Sequence, residues 1–252
     1  MSLRSNNNSE PIFLSVVIPA WNEEGRIGKT LASLSAYFLL QPYATEIIVV
    51  DDGSTDATTE EVKQHLVSPH GAHFLRNPHN HGKGWAVKEG MIAARGKLRL
   101  FMDADNSTAI SHIEQMLPLF EQGADVVIGS RGVLGARLEP PQPWYKQALG
   151  RLGNKIIQAL VLKGISDTQC GFKCFRAEAA EKIFPKLRSP RWIFDVEVLA
   201  RARALGFRIK EIPVRWVNHA ASHVRWIDYL KTFSDVIQVR DIIRREFPKT
   251  HR

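Results

Sequence analysis

The sequence of 252 residues holds only two cysteines, Cys170 and Cys174. They are too few for a disulfide framework, and with no second pair and no histidine nearby they do not make a zinc site. No run approaches the roughly 18 to 20 apolar residues that span a bilayer, the richest patches being 47–50 and 156–162. Residues 1–10 are polar, lack the apolar stretch of a secretory leader, and are expected to form a disordered segment. The first apolar run does not lead into Gly-x-Gly-x-x-Gly, and the glycine-rich loop ending in Lys-Ser/Thr is missing as well. A dinucleotide-dependent dehydrogenase and a P-loop ATPase therefore have no support. Internal repeats and low-complexity segments are absent too. What remains is a chain with reduced thiols, expected in the cytoplasm, either soluble or peripheral at the inner face of a membrane.

What is present is an ordinary α/β composition, 44% hydrophobic and 24% charged, long enough to bury a sizeable core. A formal charge of +8 favours an anionic partner, whether a nucleotide, a phosphorylated substrate, an acidic membrane surface or a nucleic acid. Residues 14–19 (LSVVIP) and 46–52 (EIIVVDD) have the continuous apolar character of buried parallel strands, and 27–40 between them has helical spacing. The alternation continues with a helix at 56–66, a strand at 73–76, a helix at 83–95 and a strand at 98–102. A helix near 111–122 and a strand at 125–129 follow. That order predicts a doubly wound, Rossmann-like open sheet, mostly parallel, with helices on both faces. At 138–143 (LEPPQP) prolines are expected to stop any regular element. Beyond them, residues 145–162 repeat apolar side chains at three and four residues with Lys146, Arg151 and Lys155 on other faces. Trp226, Leu230, Phe233 and Ile237 repeat the pattern, with Arg240, Arg244 and Arg245 near its end.

The chemistry-bearing residues gather at strand ends. Asp103-Ala104-Asp105 follows an apolar strand directly, and side chains at i and i+2 of extended backbone share a face. Two converging carboxylates call for a cation, and oxygen ligands suit Mg²⁺ or Mn²⁺, which also bridge a diphosphate; a solvated, helix-capping loop is the plain alternative. In open α/β sheets ligands bind at the carboxyl ends of strands, where Asp51, Asp52, Asp103 and Asp105 all fall. In 51–56 (DDGSTD) one of Ser54 and Asp56 is expected merely to cap the next helix. His81-Gly82-Lys83-Gly84 opens a helix with a cation and flexible backbone, a place where a phosphate could be held or a simple turn could sit.

Taken in order, 16–24 (VVIPAWNEE), 49–56 (VVDDGSTD), 80–84 (NHGKG), 102–105 (MDAD) and 128–131 (IGSR) resemble family 2 inverting glycosyltransferases with the GT-A fold. The later segments 167–173 (DTQCGFK) and 191–197 (RWIFDVE) are similar to the polyprenyl-phosphate sugar transferases of that family, and the resemblance runs over about residues 12–217. It implies a catalytic domain at 11–217 and an amphipathic helical extension at 218–252.

The same resemblance implies that Pro19, Glu23 and Asp52 line a nucleoside pocket, that Asp103 and Asp105 hold the metal on a nucleotide-sugar diphosphate, and that Arg131 meets phosphate oxygens. With Asp51 and Lys83 these form the candidate donor site. UDP-glucose is the implied donor and a lipid-linked phosphate the implied acceptor, with peripheral membrane contact through the amphipathic helices. A phosphate monoester is already anionic near neutral pH and needs little help from a base, whereas a hydroxyl acceptor would need a carboxylate. Asp167 and Asp195 are the candidates, beside Asp105 at the metal. Glu197 at the same helix start has a plain explanation in the helix dipole. Two departures stand out. Ser107 occupies the place where mannosyl-transferring relatives carry a glutamine, and 218–223 (NHAASH) offers only His219 and His223 where a lysine or arginine is expected. GDP-mannose or UDP-N-acetylglucosamine with a hydroxyl acceptor is the nearest alternative. A nucleotidyltransferase would need a glycine-rich loop where 19–24 stands. A nucleic-acid module would cluster its cations on one face with stacking aromatics, and none is expected. The oligomeric state is not legible.

Overall fold

A computed structural model describes residues 11–69, 71–141, 144–217 and 226–248, with backbone alone at 144–149, 151 and 226–233. The segment 1–10 and the stretch containing His219 and His223 lie outside the described residues.

Seven strands form the main sheet: β1 (Leu14–Ala20), β2 (Thr45–Asp51), β3 (Ala72–Arg76), β4 (Leu98–Met102), β5 (Val126–Ser130), β7 (Phe172–Arg176) and β8 (Ile209–Pro213). Their order is β3-β2-β1-β4-β7-β5-β8. β2 and then β3 build outward on one side of β1 and β4 pairs on its other side, so the chain reverses direction of winding between β1 and β4. Every pairing is parallel except those of β7, which runs antiparallel to both β4 and β5. No strand is expected there from the sequence, because Lys173 and Arg176 break the apolar character of a central strand. β6 (Arg137–Glu139) pairs in parallel with β9 (Arg215–Val217) in a second, two-stranded sheet. The proline segment thus begins with a short strand where no regular element is expected; its prolines lie beyond the last paired residue.

Alternation along the strands divides the core in two. Val17, Val50, Phe101 and Ile128 face one side, with α3 (Lys83–Ala93), α6 (Ala177–Ile183) and α7 (Phe194–Ala204). Val16, Ile18, Val49 and Leu100 face the other, with α1 (Ile27–Phe38) and α4 (Ile113–Glu121). Helix α1 stops short of its expected end because Leu39 and Leu40 lie in solvent. Helix α2 (Thr58–His65) packs beside α1.

The last two long helices are α5 (Trp144–Leu160) and α8 (Trp226–Glu246). In α8 the buried stripe is Val236, Val239 and Ile243, which joins the core beneath α7. Ile237, expected on the apolar face, is 38% exposed instead. The stripe is displaced because the half of α8 beyond Ser234 answers to α7 and α5, with Glu246 reaching Arg201 of α7 at 2.5 Å and Arg188 before it at 2.8 Å. Among the described residues no helix is long and apolar enough to cross a membrane.

Candidate active site

The reversal between β1 and β4 leaves a crevice at the carboxyl edge of the sheet, and every acid expected there arrives. Asp51 ends β2 and Asp52 follows it, but both side chains are buried and occupied. Asp51 accepts hydrogen bonds from Ser54 N at 2.9 Å and Thr59 Oγ1 at 2.6 Å, with Arg76 Nε 3.4 Å away. Asp52 accepts from the backbone N–H of Gly82 at 2.7 Å, from that of His81 at 3.0 Å, and from Asn77 Nδ2. The pair therefore shapes the pocket wall, Asp51 by tying down the turn after β2 and Asp52 by fixing the loop that delivers Lys83. The loop after β1 is laced to the same turn: Asn22 N donates to Ser54 Oγ and Glu23 N to Thr58 Oγ1. Pro19 is buried within β1 opposite Val50.

Gly82 caps α3 at a φ of +107°, which only glycine adopts readily, and a Cβ there would overlap Pro190 O. Trp85 N also donates to Pro190 O, so the segment before α7 lies on the start of α3. Lys83, first residue of α3, places Nζ 2.5 Å from Asp103 Oδ1, with the exposed Trp192 ring 5.2 Å from it. Burial works against its charge, but Asp103, Asp195 and Asp105 outweigh that and raise its pKa.

Asp103 N donates to Gly171 O, and any Cβ at Gly171 would collide with the Asp103 carboxylate. A larger residue at 171 would therefore push the Asp103 side chain out of its place. Asp105 Oδ1 accepts from Ser107 N at 2.9 Å. Glu23 completes the acidic rim. Burial, reinforced by Asp105 and Asp103 and opposed by Arg26, pushes its pKa up to about 7. A divalent cation fits this donor set. Asp103 and Asp105, which would hold it, offer carboxylate oxygens, and the buried Ser107 Oγ has no hydrogen-bond partner. Among the described residues no group of three or more histidine, cysteine, aspartate or glutamate side chains is placed to hold a metal ion.

The two candidate bases are both committed. Asp167 receives Arg131 Nε at 2.7 Å, Arg131 Nη2 at 3.1 Å and Arg131 N at 3.0 Å. Burial alone would raise its pKa, but the Arg131 charge and these hydrogen bonds hold it at about 2. Asp195 is bonded to Lys173 Nζ, and the two side chains are 3% and 0% exposed. Glu197 accepts from Arg188 N, Ser189 N and Arg201 Nε, so it anchors the segment before α7 and takes no part in the rim.

Lys173, Gly171, Trp192 and Glu211, which receives Ser166 N and Asp167 N, are the site-shaping residues that sequence reasoning missed. Lys173 and Gly171 lie within the 167–173 motif, which was the available signal. Trp192 lies within the 191–197 motif, and nothing local marks Glu211.

The profile of glycosyl transferase family 2 matches residues 15–184. The chain is 35% identical over 260 residues to the dolichyl-phosphate beta-glucosyltransferase of Dictyostelium discoideum, covering 98% of this chain and 78% of that protein. With the Saccharomyces cerevisiae enzyme of the same name the identity is 34%, over 95% and 77% of the two chains. Among solved structures, glucosyl-3-phosphoglycerate synthase from Mycobacterium tuberculosis, crystallised with Mn²⁺, UDP and glucosyl-3-phosphoglycerate, superposes with a TM-score of 0.67. That match is at 22% identity and spans 92% of this chain and 80% of that one.

Proposed function

The chain belongs to glycosyl transferase family 2, and from that premise we propose that it transfers glucose from UDP-glucose, with inversion, to the phosphate of a dolichyl or related polyprenyl phosphate. The observation that carries the acceptor class is the commitment of Asp167 and Asp195 to Arg131 and Lys173. Asp167, with its pKa held at about 2, is a poor base for a hydroxyl, and Asp195, although burial raises its pKa, is enclosed with Lys173 away from solvent. A phosphate monoester needs no such help: its oxygen is already anionic and attacks the anomeric carbon while the bond to the UDP β-phosphate breaks and UDP leaves. Positioning then supplies most of the acceleration.

In this reading Pro19 and Glu23 border the nucleoside, with Asp51 and Asp52 behind them holding the pocket wall. Asp103 and Asp105 hold Mg²⁺ or Mn²⁺, which when bound would neutralise charge building on the leaving diphosphate. Lys83, at the start of α3, adds positive charge on the same side. Arg131, expected to meet phosphate oxygens, keeps Nη1 outside its contacts with Asp167. The names of the relatives and the complexes of the Mycobacterium tuberculosis enzyme support glucose, a phosphorylated isoprenoid and UDP as the partners.

The proposal also places the chain at the cytoplasmic face of a membrane, in peripheral contact through α5 and its neighbours. Leu152 of α5 is a large apolar side chain left exposed. The test is to offer labelled UDP-glucose and GDP-mannose with dolichyl phosphate and Mn²⁺. A lipid-extractable glucosyl phosphate from UDP-glucose alone supports the reading, and mannose transfer or no transfer contradicts it.

A further inference from the structure

Lys83 already holds one of the two carboxylates assigned to the metal. Its Nζ lies 2.5 Å from Oδ1 of Asp103, the first of the two carboxylates assigned to the cation, and the pair is only 18% and 31% exposed. An ammonium held against this carboxylate weakens its grip on a divalent ion, since the two cations repel and draw on the same negative charge. Lys83 is also the first residue of an 11-residue helix, its stem is flexible, and Trp192 flanks its ammonium at 5.2 Å. A small rotation of that stem would carry Nζ off Asp103 without moving the helix.

We propose that Lys83 is a place-holding cation: in the donor-free protein it neutralises Asp103 and keeps bare divalent metal off the site, and it moves to the donor's diphosphate when metal and nucleotide arrive together. This rests on the assignment of Asp103 and Asp105 to the metal. The arrangement makes metal binding conditional on nucleotide. Bare Mn²⁺ must compete with Lys83 for the charge of Asp103 and leaves its ammonium less well compensated. Mn²⁺ with UDP brings the phosphate oxygens that receive it. By reciprocity, the metal must strengthen UDP binding by the same factor.

The test is Mn²⁺ binding followed by electron paramagnetic resonance, with and without UDP, in the wild type, Lys83→Gln, Lys83→Arg and Asp105→Asn. Lys83→Arg keeps the charge and controls for folding. The proposal expects weak Mn²⁺ binding without UDP in the wild type and Lys83→Arg, and binding at least ten-fold tighter in Lys83→Gln, with a correspondingly smaller gain on adding UDP. Unchanged or weaker Mn²⁺ affinity in nucleotide-free Lys83→Gln overturns the place-holding role while leaving the metal site standing. Wild-type Mn²⁺ binding by Asp105→Asn in the presence of UDP overturns the metal assignment itself, and the place-holding role with it.

Discussion

Lys173 and Asp195 are bonded to each other inside the protein, one from the antiparallel strand β7 and the other from the first turn of α7, and neither side chain reaches solvent to a useful extent. The Lys173 ammonium also donates to Cys170 O at 2.5 Å and lies over the Phe101 ring. A buried pair of this kind stabilises the fold little in itself, but losing one partner strands the other charge.

Lys173→Met is therefore expected to lower stability by about 3–5 kcal/mol in urea denaturation. Combining it with Asp195→Leu should restore much of that loss. Asp195→Asn is expected to change the level of activity without altering the pH profile of kcat/KM. Loss of an ionisation from that profile would make Asp195 a base after all.

A second expectation concerns Glu23. Its folded pKa of about 7 exceeds the ordinary value of 4.5, so the folded state holds a proton there that the unfolded chain has released. Stability is fully present below pH 4.5 and declines as pH rises through 7. Glu23→Gln should raise the melting temperature of the metal-free, donor-free protein at pH 8 and leave it nearly unchanged at pH 4.5. The change is read by calorimetry.

Gly171→Ala puts a methyl group into the Asp103 carboxylate. The fold should survive, because Asp103 can rotate away, but metal-supported turnover is expected to fall by about 100-fold, as for other displacements near 1 Å at a reacting centre. Wild-type turnover would show that the close approach is irrelevant to catalysis.

Much of this site was legible because its signals are local. Asp103 and Asp105 directly follow an apolar run, Asp51 and Asp52 close another, and Lys83 opens a helix, so strand-end position alone brings them together. What escaped depends on partners far away in the chain. Lys173 looks foreign to a central strand until Asp195 is seen 22 residues on, and Asp167 looks like a free acid until Arg131, 36 residues back, takes it from two sides. β7 enters the sheet between two strands that precede it by tens of residues, which no periodicity reveals. The buried stripe of α8 is set by α7, so Val236, Val239 and Ile243 rather than Ile237 face inward.

That packing changes the expectation for the C-terminal helix. Arg201 is 1% exposed and relies on Glu197 and Glu246. Glu246→Ala should cost about 2 kcal/mol of stability in denaturant titration. Deleting residues 222–252 should lower donor binding along with any liposome binding, since the core beneath α7 opens. Full stability in Glu246→Ala would mark α8 as an appendage.

The most direct measurement supplies the purified protein with labelled UDP-glucose and Mn²⁺ and offers the same isoprenoid twice, as its phosphate and as its free alcohol. With both candidate bases held in ion pairs, glucose should pass to the phosphate and not to the alcohol. Transfer to the alcohol at a comparable rate would mean that a working base exists in this site and that the acceptor is not chosen by its charge.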